Sequence, residues 1–276
     1  MPETINIREC RKLINNLNRK DYFSVAIIAY NSILNEIKDE LRSQEVEDTE
    51  KQAARLILSR LHDVMRMAQP LVETRIQDRV NSGQISNADQ ARKSVAGNVF
   101  QQMFAYSLAI NVLNGNIVSP IIVTTSTSGI VDEYAEIMVG DDRLKPDSDV
   151  IVYSSDESGS SPILVFSCKT SCRERAGQTY KWKLMCDIAT CSCEHKSYTP
   201  SCPANIYNIA YRPRKTIKTC FVTTDFYNEL SNPQISAMFN FFDYSYIGKT
   251  TSPNEKIHPL DTIVDDINTI FRTPEA

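Results

Sequence analysis

Apolar residues in the N-terminal part of the chain recur every three or four positions, which is the spacing of one face of an α-helix. One stripe runs from Ile7 to Leu17 and a second from Phe23 to Leu41. A third follows the acidic segment SQEVEDTE, and Pro70 is expected to start a short helix that ends at Ser82-Gly83. The pattern therefore predicts an all-helical N-terminal part.

Beyond this part the pattern changes from long stripes to short apolar runs. Residues 87–113 still predict one long helix, and residues 130–139 predict a short one. Strand-length apolar runs then alternate with helical patterns, at 121–123, 150–153, 163–166, 205–211 and 218–224, before a last helix that begins near Leu260. We expect a helical domain over residues 1–84, a candidate for dimerisation, and an α/β domain over residues 85–276 with a mixed sheet flanked by helices.

Composition excludes some classes of protein. The chain has 276 residues and is 42% hydrophobic and 23% charged, as is usual for a globular protein. It contains no apolar stretch of the roughly 18 residues that a membrane span needs, and no apolar signal core at the N-terminus. We expect a cytoplasmic protein without membrane contact. The absence of a glycine-rich phosphate loop predicts no nucleotide cofactor.

The segment from Lys145 to Lys183 carries the most specific chemistry. Asp147 leads into one apolar run, and Lys169 ends the next. A carboxylate at the mouth of a strand can hold a hard divalent cation, and a nearby lysine can orient water or neutralise charge on a phosphate. Asp149 shares the face of Asp147 and is the alternative metal ligand. Such a pair can carry out phosphodiester hydrolysis, although from Asp and Lys alone an ordinary hairpin with an exposed lysine is the preferred interpretation.

The residues after Lys169 indicate a reader of bases. Arginine can make a bidentate contact to guanine, and glutamate can accept a hydrogen bond from cytosine. Arg173, Glu174 and Arg175 therefore form a compact candidate for recognising G·C pairs. The alternative is a capping box between Ser171 and Glu174 that only starts a helix, and both roles can hold together.

Local charge adds a second candidate contact with nucleic acid. The formal net charge is −4, which by itself does not indicate a nucleic-acid-binding protein. The segment 211–218 nevertheless carries four basic residues and no acid. Arg212 and Arg214 are accordingly candidate phosphate contacts, unless this segment is only a solvated face.

The order of these motifs resembles a known family. Pro146-Asp147, then about twenty residues, then Ser167-Cys168-Lys169 and Arg173-Glu174-Arg175 resembles the PD-(D/E)XK restriction endonucleases that recognise CCGG or CCNGG cores, most of all the BsaWI type. The resemblance implies a Mg²⁺-dependent Type II enzyme that cuts a palindrome in double-stranded DNA as a homodimer or a higher oligomer. It also implies that Asp147 binds the metal, that Lys169 is catalytic and that Ser167 stands where the family usually has a second acid.

Two departures from the family pattern concern the acids of the site. Relatives often carry a glutamate thirteen or fourteen residues beyond the lysine, where this chain has Trp182 and Lys183. Many also have a glutamate after a Gly-x-x-Phe motif, and here Gly97-Asn98-Val99-Phe100 is followed by Gln101. Gln101 becomes a candidate catalytic residue because its carbonyl is a hard oxygen ligand. The depleted acids leave open a different nuclease of the same fold, or a DNA-binding protein that has lost activity.

Three further features allow more than one interpretation. Gly97 costs helix stability, which a close approach of DNA or of a neighbouring helix would explain. The cluster of Cys186, Cys191, Cys193, His195 and Cys202 could hold zinc, but its spacing favours free thiols. The aromatic segment 239–246 could stack on bases, but core or dimer packing is the preferred interpretation.

Overall fold

The computed structural model describes residues 4–118, 120–126, 129–130, 136–145, 148–154, 161–172, 175–190, 202–211 and 215–272, without the side chains of residues 175, 176 and 211. Several predicted site residues lie outside this part of the chain, namely Asp147, Arg173, Glu174, Arg212 and Arg214, and so do Cys191, Cys193 and His195 of the cysteine cluster.

The N-terminal part is helical, as its apolar stripes predict. Its helices are α1 (Ile5–Asn18), α2 (Asp21–Ser43), α3 (Thr49–Leu56), α4 (Leu61–Asn81) and α5 (Ala88–Leu113), with a 3₁₀ turn at Ile57–Arg60. The stripes of α1 and α2 are buried, from Cys10 to Leu17 and from Phe23 to Leu41. Burial of these faces, more than helix propensity, stabilises the helices.

The expectation for Pro70 was wrong. Pro70 does not start a new helix but lies inside α4. Proline lacks the N–H that would bond one turn back, so one helical hydrogen bond is lost there. The helix continues because Met65 and Ala68 before the proline, and Ile76 after it, are all buried in the core.

Helix α5 matches the prediction closely and packs across the sheet. Its first turn is capped by Asn87, whose side chain accepts a hydrogen bond from the backbone N–H of Gln90 at 3.0 Å. Further along, Phe104 packs edge-on against Phe166 of the sheet with the ring centroids 5.1 Å apart. The buried Asn111 donates from Nδ2 to the carbonyl oxygen of Ala54 at 2.6 Å and thereby fastens α5 to α3.

The strands of the described residues form two sheets. They are β1 (Ile121–Thr124), β2 (Ile137–Val139), β3 (Asp142–Leu144), β4 (Val150–Ser154), β5 (Ile163–Lys169), β6 (Ile209–Tyr211), β7 (Ile217–Thr223), β8 (Tyr244–Ile247) and β9 (His258–Pro259). The larger sheet has the order β1-β4-β5-β7-β8-β9. Its first pairs, β1 with β4 and β4 with β5, are antiparallel, and the pairs from β5 to β9 are parallel. The predicted mixed sheet is confirmed.

The smaller sheet corrects the predicted helix at 130–139. Residues 137–139 are strand β2, which pairs antiparallel with β3 and β6. Gly140 has a φ of +59°, a left-handed conformation that suits glycine and turns the chain from β2 into β3.

The predicted strand at 205–211 is shorter than expected, because Pro203 opens a short helix, α7 (Pro203–Ile206), before β6. The helix between β5 and α7 is α6 (Arg175–Ala189).

Helices cover both faces of the larger sheet. One continuous core joins α1 to α5 with sheet residues such as Phe166 and Tyr246 and with the last helix, α9 (Ile263–Ile270). The opposite core contains Phe221, Phe239 and Phe242 below α8 (Pro233–Met238), with Phe221 stacked on Phe242 at 5.2 Å between ring centroids. Phe239 and Phe242 of the aromatic segment 239–246 are therefore core residues, in agreement with the preferred interpretation of core or dimer packing.

Candidate active site

The start of β4 and the end of β5 meet because the two strands are antiparallel neighbours. Val150 pairs with Phe166, and the backbone N–H of Asp149 donates to the carbonyl oxygen of Phe166 at 2.9 Å. Asp149 stands just before β4, and Lys169 is the last residue of β5. The register of the sheet thus brings a carboxylate and an ammonium to one edge.

The two side chains form a close ion pair. Nζ of Lys169 donates to Oδ2 of Asp149 at 2.8 Å, and the backbone N–H of Cys168 donates to the same oxygen at 2.7 Å. Both donors thus bond to the same carboxylate oxygen, Oδ2. The side-chain exposure is 6% for Lys169 and 19% for Asp149. At such burial, loss of either partner leaves a poorly solvated charge behind, so each holds the other in place.

Gln101 also lies in this site. Its Nε2 donates to the backbone carbonyl oxygen of Asp149, which ties α5 to the start of β4. A glutamate at position 101 would present a carboxylate oxygen to that carbonyl and could not donate the bond. The amide therefore explains how this chain uses glutamine where the resemblance leads one to expect an acid.

Ser167 lies on the same face of β5 as Lys169 but makes a different contact. It is buried, and its Oγ is 2.9 Å from Oγ1 of Thr179 on α6. This bond fixes α6 against the sheet. Within the described residues the serine is therefore bonded to the covering helix.

The helix positions where relatives carry an acid have other roles here. Trp182 packs with Cys186 beneath the smaller sheet. Lys183 pairs with Asp187 and lies 3.7 Å from Asp243. Burial opposes the charge of Lys183, but these ion pairs outweigh it and raise the pKa of the ammonium. Position 183 thus carries a cation that is held by acids.

The segment that follows Lys169 is held by a residue that the sequence did not single out. Oε2 of Glu229 accepts a hydrogen bond from Oγ of Ser171 at 2.9 Å and from the backbone N–H of Cys172 at 2.7 Å. The proposed capping partner, Glu174, lies outside the described residues. No local signal could have found Glu229, because it lies 58 residues beyond Ser171 and follows a different strand.

A cleft of about 1200 Å³ opens beside Lys169. Its walls are α4 and α5 on one side and the loop after β7 on the other, and its lining includes Lys93, Gly97, Lys169 and Glu229. A Cβ atom added at Gly97 would meet nothing within 4 Å. Among the described residues, no neighbouring helix therefore requires this glycine, and the approach of DNA stays a prediction.

Two basic residues of α5 line the cleft, Arg92 and Lys93, and they differ in their contacts. Nε of Arg92 donates to both carboxylate oxygens of Glu73 at 2.9 Å, and NH1 donates to Asp89 at 2.6 Å. The hydrogen bonds from Arg92 lower the pKa of the Glu73 carboxyl, so this acid stays ionised and paired. Lys93 is exposed and lines the cleft. It is thus the cation of α5 best placed to meet an incoming anion.

The donor atoms at the strand ends suit a hard cation. The Asp149 carboxylate and the Gln101 amide carbonyl are oxygen ligands, which Mg²⁺ and Ca²⁺ prefer, whereas zinc is mostly bound by nitrogen and sulfur. Among the described residues, no group of three or more His, Cys, Asp or Glu side chains is placed to hold a metal ion. Cys186 and Cys202, the described members of the cysteine cluster, are both buried.

In the described part of the chain, no helix combines the length and the apolar character needed to cross a bilayer.

Comparison with known families adds one match. A family model described as BsaWI restriction endonuclease type 2 matches residues 127–269, which is just over half of the chain. The matched region contains Asp149, Lys169 and Glu229, and it begins after α5. No curated protein matches the chain.

Proposed function

The chain belongs to the BsaWI family of type 2 restriction endonucleases, and from this premise we propose that it cuts a CCGG-core palindrome through a PD-(D/E)XK-type centre. The enzyme is a restriction endonuclease and its partner is DNA. The observation that carries the proposal is the Asp149–Lys169 pair, in which a carboxylate and a lysine meet at adjoining strand ends.

Enzymes of this kind typically use a divalent metal, and we propose Mg²⁺. Asp149 would hold it, with the Gln101 carbonyl and Asp147 as further oxygen ligands. Such a cation supplies a bound water of lowered pKa and polarises the phosphate. Oδ1 of Asp149 is the atom we assign to this role, because Oδ2 already accepts bonds from Cys168 and Lys169.

Lys169 would neutralise charge on the reacting phosphate. Its Nζ is held by Asp149, so the ammonium stays in position before the substrate arrives. A donor that is already oriented costs no reorganisation during the reaction, and in a poorly solvated site its charge acts more strongly than in water. Ser167 supports this arrangement from the same strand through its bond to Thr179.

Base recognition is assigned to Arg173, Glu174 and Arg175. Each arginine can serve one guanine, and the glutamate can accept from the paired cytosines. One subunit would then read two G·C pairs, and a two-fold symmetric homodimer would read CCGG, or CCNGG if a spacer base intervenes. Arg212 and Arg214 remain our candidates for phosphate contacts.

The cleft beside Lys169 would receive the sugar-phosphate backbone. Lys93 and Gly97 are four residues apart on α5, so they lie one above the other on one face. Gln101 follows after four more residues and reaches Asp149. The α5 face would therefore follow the DNA strand towards the Asp149–Lys169 pair, with Lys93 roughly 12 Å from Gln101 along the helix.

The test is digestion of plasmid and genomic DNA by the purified enzyme. Separate reactions should contain Mg²⁺, Mn²⁺, Ca²⁺ or a chelator. We expect discrete fragments with Mg²⁺ whose ends map to a CCGG core, and no cleavage with the chelator. Discrete fragments whose ends lack this core would refute the specificity, and cleavage that persists in the chelator would refute the role of the metal.

A further inference from the structure

Only a short segment, Thr170–Cys172, separates Lys169 from the proposed recognition residues. Each residue of this segment is bonded to the loop that follows β7. Thr170 accepts a hydrogen bond at its carbonyl from the backbone N–H of Phe226 at 3.1 Å. Ser171 and Cys172 both donate to Oε2 of Glu229, at 2.9 and 2.7 Å. One carboxylate oxygen thus accepts hydrogen bonds from two of the three residues of the segment.

Glu229 is itself held in a rigid position. Its backbone N–H donates to Oδ1 of Asp225 at 2.7 Å, and Asp225 is only 2% exposed. Lys249 donates to the carbonyl oxygen of Asp225 at 3.1 Å and lies 3.4 Å from its Oδ2. The acceptor for the segment is therefore anchored to the ends of β7 and β8 and does not depend on a freely rotating loop.

We propose that Glu229 is a positioning residue for sequence recognition, which fixes the direction in which the chain leaves Lys169 towards Arg173, Glu174 and Arg175. This inference rests on the proposed function of these three residues. Bidentate contacts to bases require a fixed approach of each arginine. Hydrogen bonds to an ionised acceptor are roughly twice as strong as neutral ones, so a carboxylate suits this role.

The test compares Glu229→Ala, Glu229→Gln and Ser171→Ala with the wild-type enzyme. Each protein cuts genomic DNA, and sequencing of the fragment ends gives the relative rate at every site. The wild-type enzyme defines its own preferred site, so the comparison does not depend on the CCGG assignment. Glu255→Ala is the matched control, because Glu255 is exposed and does not line the cleft.

We expect Glu229→Ala to lose discrimination against sites with one altered base pair by at least about tenfold, because it removes both hydrogen bonds to the carboxylate and one such bond alone has roughly that effect. Glu229→Gln, whose amide oxygen can still accept both bonds, should lose less of this discrimination. Ser171→Ala removes one of the two donors, so its discrimination should also lie between that of the wild type and that of Glu229→Ala. The control should cut the same sites at the same relative rates as the wild type.

Two results would overturn the inference. In the first, Glu229→Ala and Ser171→Ala keep the wild-type site preference. In the second, every site slows by the same factor, which is the result expected of a metal ligand or of a merely structural residue. If the wild-type site lacks CCGG, the proposed specificity is wrong, but the comparison between variants still tests Glu229. Thermal melting of each variant shows that it is folded.

Discussion

Replacement of Gly97 by alanine should separate stability from DNA binding. Gly97 lies in the middle of α5, and an added Cβ meets nothing within 4 Å. A glycine inside a helix costs roughly 0.5–1 kcal/mol relative to alanine. Since no clash offsets this gain, we expect Gly97→Ala to raise the free energy of unfolding by about that amount. The melting temperature should rise by roughly 2–4 °C for each kcal/mol in a protein of about this size.

The same methyl group should weaken DNA binding. Gly97 lines the cleft beside Lys169, where we place the sugar-phosphate backbone. An extra methyl in a close contact typically costs about 1–3 kcal/mol, so we expect the Kd to rise by at least about fivefold. Gly97→Leu should raise it further, because its side chain fills more of the cleft.

The assay pairs thermal melts with gel-shift titrations in Ca²⁺. Asn98→Ala is the control, because Asn98 is the next residue on α5, is exposed and does not line the cleft. It should gain a few tenths of a kcal/mol from helix propensity and bind DNA normally. A Gly97→Ala enzyme that is more stable and binds as well as the wild type would refute the placement of DNA against α5. A Gly97→Ala enzyme that is less stable than the wild type would contradict the conclusion that the added Cβ meets open space.

Three further changes test other parts of the account. Lys93→Gln should weaken binding to all DNA duplexes alike, and the slope of the logarithm of the binding constant against the logarithm of the salt concentration should become smaller by about 1. Weaker binding to one sequence alone would contradict a phosphate contact. Arg173→Ala should lower the discrimination between a CCGG duplex and a scrambled duplex by about 1–3 kcal/mol in gel-shift titrations. An equal loss of affinity for both duplexes would show that Arg173 contacts a phosphate and does not read a base. Asn111→Ala should lower the free energy of unfolding by about 1–3 kcal/mol in urea titrations, because the buried carbonyl of Ala54 loses its donor; an unchanged midpoint would refute that reasoning.

The sequence predicted those elements whose stabilising pattern is local. Helix α5 carries its own cap and a long buried stripe, and β5 begins with four consecutive apolar residues, so both were visible in the pattern. The strand at 137–139 was not, because it is short and pairs with β6, about seventy residues away. Pro70 was misread because the buried residues on either side of it, and not its own backbone, keep α4 continuous.

The site was predictable where it depends on strand register and hidden where it depends on tertiary contacts. The sequence favoured Asp147 as the metal ligand and kept Asp149 as the alternative, because the two share a face by strand periodicity. The structure brings Asp149 to Lys169, while Asp147 stays a prediction outside the described residues. Gln101 was singled out through its motif, and the structure places its amide at the backbone carbonyl oxygen of Asp149, while its role stays a prediction. Glu229 was not found, since only the folding of the loop after β7 brings it to Ser171.

The most direct test of the Asp149–Lys169 centre is the single-turnover cleavage rate of Asp149→Asn, Lys169→Met and the double variant on the preferred DNA site. Asparagine keeps the size of Asp149 and can still accept from Cys168. We expect each single change to lower the rate by roughly 10²–10⁴-fold, and the double change to lower it little further, because the two residues act as a unit. Binding in Ca²⁺ should change much less than the cleavage rate, because we assign both residues to the reacting phosphate and not to the bases. An Asp149→Asn enzyme that binds this site and cuts it at close to the wild-type rate would contradict the account.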